Sequence, residues 1–265
     1  MNIMQRFSLE GKVAFVTGGS HGIGFAVARG FAEAGAKVAY CCSQEKSLAK
    51  GQANYAEAGI DAKGYICDIT DEARVAEVVA DIERNLGPVD ILFNNAGIIK
   101  RGPSHEMPVE DFRRVVEVDL VGQFIVTRAV VPSMIARGGG KIISTGSILS
   151  ELGRGNVAAY NAAKGGLKLL TRSLASEYGG YNIQVNAIGP GYIETELTEA
   201  LRTPQADGTP QPMAAFVLKR TPANRWGKPE DLAGPALFLA SAASDYVNGH
   251  ILYADGGLTS AFGNP

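Results

Sequence analysis

The stretch Lys12-Val13-Ala14-Phe15-Val16-Thr17-Gly18-Gly19-Ser20-His21-Gly22-Ile23-Gly24-Phe25-Ala26-Val27-Ala28 decides the fold. Lys12 to Thr17 is short and mostly apolar, the pattern of a buried strand. Glycines at 18, 19, 22 and 24 then break the strand, and a helical pattern starts inside the turn. A strand, a glycine-rich turn and a helix N-terminus together present free backbone N–H groups and a positive dipole end, which suit a pyrophosphate. Gly18 allows the tight turn, Gly22 the close approach of backbone to ligand, and Gly24 the packing of helix on strand. Ser20, His21 and Ile23 lie on the same turn.

Outward from this turn, short apolar runs at residues 36–42, 62–67, 89–94, 141–146, 183–187 and 250–253 alternate with helical periods. Those helices are expected at about 22–34, 45–58, 71–86, 110–136, 157–178 and 229–243. The alternation predicts an α/β fold: a doubly wound parallel sheet of about seven strands with helices on both faces. Gly35, Gly59 and Gly87 stand where helices should stop. No repeat or composition shift divides the chain, so residues 1–265 read as one dinucleotide-binding catalytic domain. Residues 203–212, TPQADGTPQP, hold three prolines within the long interval before the last strand, and about 195–225 is expected to form a substrate lid.

The 265 residues are 46% hydrophobic and 20% charged, enough apolar surface for a sizeable core and too little charge for disorder. Lys and Arg total 25 against 27 Asp and Glu, a net charge of −2. Without a broad positive field, no nucleic acid and no membrane is expected as partner, and a small molecule is. Cys41, Cys42 and Cys67 are an odd set with two adjacent, which suits neither a disulfide framework nor a metal site; a cytoplasmic, reducing location is expected, with no metal. Residues 1–9 lack an apolar stretch of signal-peptide length, and no uninterrupted apolar run approaches the roughly 18 residues of a membrane span.

The glycine spacing is G-x-x-x-G-x-G rather than G-x-G-x-x-G. With it come Asn94-Asn95-Ala96-Gly97 after the fourth strand, Ser147 after the fifth, Tyr160-x-x-x-Lys164, and Pro190-Gly191-Tyr192-Ile193-Glu194-Thr195. In this order, across nearly the whole chain, the motifs resemble those of the short-chain dehydrogenase/reductase family. The resemblance implies a Rossmann-like fold and an NAD(P)-dependent oxidoreductase acting on CH–OH groups. It implies that Asn95, Ala96 and Gly97 line the cofactor path and that Asp68, next to Ile69, meets the adenine. Pro190, Gly191, Ile193 and Thr195 would pass beside the nicotinamide carboxamide. Related chains form tetramers through the long fourth and fifth helices and the C-terminal segment, so a homotetramer is expected.

Tyr160 and Lys164, four positions apart on a helix, share one face. Taken alone, that spacing describes any amphipathic face. In register with the serine, the turn and Asn94 to Gly97, it describes a site for hydride transfer. An ammonium beside a phenol favours the phenolate, and is expected to draw the Tyr160 pKa down from about 10. Tyr160 is then the general acid or base, Ser147 orients the substrate oxygen, and Lys164 tunes the phenol and holds the ribose. Where many family members have an asparagine that completes a water relay, this chain has Asp119, which is left outside the catalytic set.

Cys42, followed by Ser43, occupies the position where a carboxylate would bind the ribose diol of NAD and repel a 2′-phosphate. NADP is therefore the favoured cofactor and NAD the other possibility, with His21 and Lys46 as candidate helpers. For the substrate, Asn94 to Arg101, Ser150 to Arg154, Ala159 to Lys168 and Arg225 to Gly257 resemble a branch of the family that interconverts D-gluconate and 5-dehydro-D-gluconate. A sugar-acid carboxylate needs a cation, which Arg101, Arg154 and Lys100 are placed to supply, with Tyr192 and Trp226 as walls. Two alternatives stay open: a ketoreductase of the same family acting on a 3-oxoacyl thioester or another sugar or polyol, and a non-catalytic dinucleotide sensor, disfavoured by the presence of both Tyr160 and Lys164.

Overall fold

The computed structural model describes residues 2–205 and 207–261. Met1, Ala206 of the lid stretch and residues 262–265 of the proposed single domain lie outside the described residues. Seven strands, β1 (Val13–Thr17), β2 (Lys37–Cys42), β3 (Ala62–Ile66), β4 (Ile91–Asn94), β5 (Gly140–Thr145), β6 (Ile183–Pro190) and β7 (Ile251–Ala254), form one parallel sheet. Their order is β3-β2-β1-β4-β5-β6-β7.

Each central strand feeds two cores because its side chains alternate across the sheet. In β1, Val13 and Phe15 join a core with Val75, Val78 and Ile82 of α3 (Glu72–Asn85) and Val126, Val130 and Met134 of α5 (Gln123–Arg137). Ala14 and Val16 join the opposite core with Val27 and Phe31 of α1 (Gly22–Glu33) and Tyr55 of α2 (Glu45–Glu57). Burial on both faces is why the strands read as continuous apolar runs. Gly35, Gly59 and Gly87 take positive φ after their helices, as expected.

Two helical expectations are corrected. The segment expected at 110–136 is α4 (Val109–Val116), a π-helical turn over Glu117–Gly122, and then α5. The rod Val109–Arg137 is long and apolar enough to cross a membrane by length and composition, and half of its apolar window is buried inside the molecule. Asp119, Gln123 and Arg128 interrupt its apolar run, which is why the sequence shows no continuous span. The segment expected at 229–243 is α9 (Ala233–Ala240) between two 3-10 turns, Pro229–Leu232 and Ala242–Ser244; Ser241 breaks it by capping the second turn. Strand β6 runs on to Pro190 because Gly189 and Pro190 still pair with Tyr253 and Ala254 of β7.

Helix α6 (Ala158–Tyr178) packs on β6, and the expected lid stretch carries α7 (Glu196–Glu199) and α8 (Pro212–Arg220).

Candidate active site

Strands β1 and β4 are neighbours in space but not in sequence, so a crevice opens where the crossovers diverge, above their C-terminal ends. Thr17 and Asn95 close its floor. The Thr17 hydroxyl oxygen accepts the backbone N–H groups of Asn95 and Ala96 at 2.9 and 3.1 Å. The Asn95 amide donates to the carbonyls of Thr17 and Gly18. A Cβ on Gly24 would sit 2.2 Å from the Gly18 carbonyl oxygen, so only glycine lets α1 seat against the turn.

The residues present fit a dinucleotide. Helix α1 begins without a side-chain cap, leaving its first-turn N–H groups to a ligand. Gly22 has φ of +58°, and a Cβ there would meet only Thr195, at 3.6 Å, so the cradle stays open.

A cavity of about 480 Å³ gathers most of the predicted residues: Gly18, His21, Gly22 and Ile23 from the turn, Asn95, Ala96 and Gly97 after β4, Ser147, Tyr160 and Lys164, and Pro190, Gly191, Ile193 and Thr195 after β6. Ser20, Gly24, Cys42, Ser43, Asp68, Ile69, Arg101, Arg154 and Tyr192 do not line it. Ser20 is buried, its hydroxyl 2.8 Å from His21 Nδ1. The Cys42 thiol, pushed up by burial, turns to the Gln44 carbonyl beside exposed Ser43. Asp68 accepts from the Thr70 N–H and hydroxyl and from Arg114. Ile69 is a core residue lying under Gly122.

Of the substrate candidates, Arg101 donates to the Leu197 carbonyl at 3.1 Å, which links the loop after β4 to the lid. Burial, then the charge of Arg154, lowers the Arg101 pKa, and Tyr160 pulls the other way. Arg154 stacks over Tyr192 at 5.9 Å, and Tyr192 meets Trp226 edge-on at 5.5 Å. Tyr192 faces an adjoining hollow of about 410 Å³. Lys100 is a correction: it pairs with Asp111 at 3.2 Å instead of entering the mouth. Sequence reasoning also missed Lys50 and Glu196. Lys50, one turn beyond Lys46 on α2, pairs with Glu196, whose carboxylate also lies 3.5 Å from His21. A larger hollow of about 860 Å³ lies at the opposite end of the sheet, where Lys12 and Arg137 pair with Asp90 and Lys141 with Asp245.

Ser147, two residues beyond the end of β5, caps the following 3-10 turn, its hydroxyl oxygen accepting the Leu149 N–H at 3.0 Å. Lys164 is 2% exposed. Its Nζ donates to the Thr145 carbonyl at 2.8 Å and lies 5.3 Å from the centre of the Tyr160 ring. It also lies 3.2 Å from Oδ2 of Asp119, which is 0% exposed.

This pairing corrects the expected titration. Burial holds the Tyr160 phenol above its ordinary value; Lys164, the Ser147 hydroxyl and Arg101 pull it down, while Asp119 adds to the rise. Lys164 is held above its usual value although burial opposes its charge, because Asp119 and Tyr160 outweigh the burial. Burial raises the Asp119 carboxyl, against the pull of Lys164 and the Ile98 N–H. Asp119 is thus the residue the sequence left aside. Its only signal there was the departure from the family's asparagine.

The profile of the family described as Enoyl-(Acyl carrier protein) reductase matches residues 18–259. A 2-dehydro-3-deoxy-D-gluconate 5-dehydrogenase of Formosa agariphila is 50% identical over 261 residues, 98% of this chain and 97% of that protein. A gluconate 5-dehydrogenase from Burkholderia cenocepacia, solved in complex with NADP and tartrate, is 42% identical and superposes with a TM-score of 0.90 over 98% of this chain and 100% of that one. A 2-keto-3-deoxy-D-gluconate dehydrogenase structure from Streptococcus agalactiae is 55% identical, with a TM-score of 0.82 over 96% and 95% of the two chains.

Proposed function

We propose a function for a chain that belongs to the short-chain dehydrogenase/reductase family: it interconverts D-gluconate and 5-dehydro-D-gluconate with NADP. The observation that carries the reading is the convergence of Ser147, Tyr160 and Lys164 beside an open phosphate cradle in one cavity. NADP is favoured over NAD because Cys42 and Ser43 bring no negative charge to the end of β2. When bound at this cradle, NADP would supply the hydride acceptor for the C5 hydrogen, and NADPH the hydride donor in the reverse direction.

The chain's own residues do the rest. In oxidation the hydroxyl proton at C5 passes to the Tyr160 oxygen, and in reduction Tyr160 gives it back. Ser147 donates a hydrogen bond to the reacting oxygen, and Lys164 holds the ribose. Arg101 and Arg154 bind the C1 carboxylate, and Tyr192 and Trp226 wall the sugar chain. Gly18 to Gly24 take the pyrophosphate on backbone N–H groups, with Asp68 and Ile69 flanking the adenine.

A second reading has a specific observation in its favour: the relatives at 50% and 55% identity are named for 2-dehydro-3-deoxy-D-gluconate or its 2-keto synonym. That substrate has the same carbinol at C5 and the same carboxylate at C1, so the chemistry above is unchanged. Purified protein given either sugar acid with NADP or NAD, followed by reduced-nicotinamide absorbance, tests both. Turnover of a 3-oxoacyl thioester with NADPH and of neither sugar acid would reject both.

Residues 1–265 are read as one catalytic domain with a lid at about 195–225. Exposed Val121, Phe124 and Leu169 on the rod and α6 support packing of copies into a homotetramer, which sedimentation tests. The free thiols of Cys41, Cys42 and Cys67 support a cytoplasmic location.

A further inference from the structure

A carboxylate of the lid stands over two basic side chains that border the phosphate cradle. Helix α2 is fastened to the glycine turn by Asn54, whose amide donates to the Ser20 carbonyl, and by Tyr55, whose hydroxyl donates to the Gly19 carbonyl, each at 2.9 Å. Lys50, one helical turn before Asn54, is on the face of α2 that meets this turn. Its ammonium pairs with Glu196 at the start of α7, and a Glu196 oxygen also lies 3.5 Å from His21 Nε2. Glu196 borders both the cavity of about 480 Å³ and a side hollow of about 390 Å³, which His21, Lys50 and Asn54 also line. The Lys50 hydrogen bond first, against burial, and then the nearby His21 and Lys46 hold its carboxyl below the ordinary value.

We propose that Glu196 is a selectivity residue for the cofactor: its carboxylate occupies Lys50 and His21 as an internal counter-anion, and the 2′-phosphate of NADP competes with it for them. NAD, which lacks that phosphate, leaves the contact between lid and α2 intact. The inference rests on the reading of NADP as cofactor, and deepens it by naming the residues at which phosphate and lid exchange places.

The side chains of His21, Lys50 and Glu196 keep 39, 45 and 59% of their surface exposed, so the contact opens without uncovering a buried charge. An exposed ion pair of this kind is weak in water. A phosphate monoester carries about −1.5 to −2 charges at pH 7 and three acceptor oxygens, which makes it a stronger partner for an ammonium than a carboxylate is. Lys50 lies on the helix that follows β2, and Cys42 and Ser43 at the end of that strand add no negative charge. Phosphate and Glu196 repel each other, so the two do not share Lys50 and His21 without cost.

The test is equilibrium binding of NADP and NAD, by calorimetry, to wild type, Glu196→Gln and Lys50→Gln. Glu196→Gln removes the competing charge and is expected to tighten NADP by about two- to fivefold, the scale of an exposed ion pair, with NAD unchanged. Lys50→Gln is expected to weaken NADP by a similar factor and again to leave NAD alone. Adenosine 2′-phosphate, which carries the phosphate without nicotinamide or pyrophosphate, should follow NADP in both variants. An equal gain for both dinucleotides in Glu196→Gln would place the competition at the shared pyrophosphate and overturn the assignment. Unmoved NADP affinity in Glu196→Gln, with NADP still bound more tightly than NAD, would overturn the proposal and leave the cofactor reading standing. NAD bound more tightly than NADP by all three proteins would overturn the cofactor reading, and the proposal with it.

Discussion

The side-chain amide of Asn95 donates to the carbonyl of Gly18 at 3.1 Å, tying the end of β4 to the phosphate turn after β1. The same amide reaches the Thr17 carbonyl at 3.2 Å, so one side chain ties the two sides of the crevice where the strand order reverses. Asn95→Ala leaves both carbonyls without this donor, and is expected to destabilise the protein by about 1–3 kcal/mol. Urea denaturation measures the loss. Fluorescence titration with NADP should show weaker binding in parallel, and unchanged affinity would mean that the turn is held by other contacts.

Tyr160→Phe keeps the ring and its packing but removes the exchangeable proton. Loss of a positioned general acid or base lowers kcat by about 10²–10⁴-fold. NADP affinity should change little, since the cradle is made of backbone N–H groups at the other end of the cavity. Near-normal turnover would exclude Tyr160 as the proton carrier.

Arg101 and Arg154 are the two cations proposed to bind the C1 carboxylate, and the charge of Arg154 adds to burial in lowering the Arg101 pKa. A charge-assisted hydrogen bond to a carboxylate contributes about 1.5–3 kcal/mol. Arg101→Ala or Arg154→Ala should therefore raise the KM for a sugar acid by about ten- to a hundredfold, with kcat less affected. A neutral polyol of the same length serves as control and should respond to neither change. Equal losses on both substrates would show that the arginines hold the lid through contacts such as Arg101 to Leu197 and do not read the carboxylate.

Cys42→Asp places a carboxylate at the end of β2, where it can accept from a ribose diol and repels a 2′-phosphate. The expected result is at least a tenfold loss of NADP affinity, about 1.4 kcal/mol, with NAD affinity kept or improved. Equilibrium binding of the two dinucleotides measures it. An unchanged preference would place the 2′-phosphate away from Cys42.

Asp231 accepts both Arg225 guanidinium nitrogens, at 2.6 and 3.0 Å, and the Lys228 N–H at 2.7 Å. Arg225 first, then that N–H, holds its carboxyl below the ordinary value. A depressed folded-state pKa contributes stability that is complete above the unfolded value of about 3.9 and is lost as pH falls through the folded value. The pair is partly exposed, so Asp231→Asn should cost only about 0.5–1 kcal/mol at pH 7. The difference from wild type should shrink below about pH 4. A deficit that persists in acid would mean that the charge is not its source.

Several features were legible from local pattern. Burial on both sheet faces makes strands such as Val13–Thr17 read as apolar runs, and glycines with positive φ mark where helices end. The four-residue step from Tyr160 to Lys164 places both on one helical face by geometry alone. The split of the 229–243 helix and the π turn at Glu117–Gly122 were not legible, because each depends on hydrogen bonds made after packing.

The sequence by itself determined the doubly wound α/β sheet and the glycine turn, since these follow from periodicity and backbone freedom along one chain, and it pointed to the serine, tyrosine and lysine through the resemblance of its ordered motifs to a known family. Only the tertiary structure decided that Asp119 meets Lys164, that Lys100 turns to Asp111 while Arg101 stays near Tyr160, and that the phenol is raised. The reason is electrostatic: the charge state of a buried group depends on its desolvation and on neighbours brought close through space, and residues 119 and 164 become neighbours only when the π turn packs against α6.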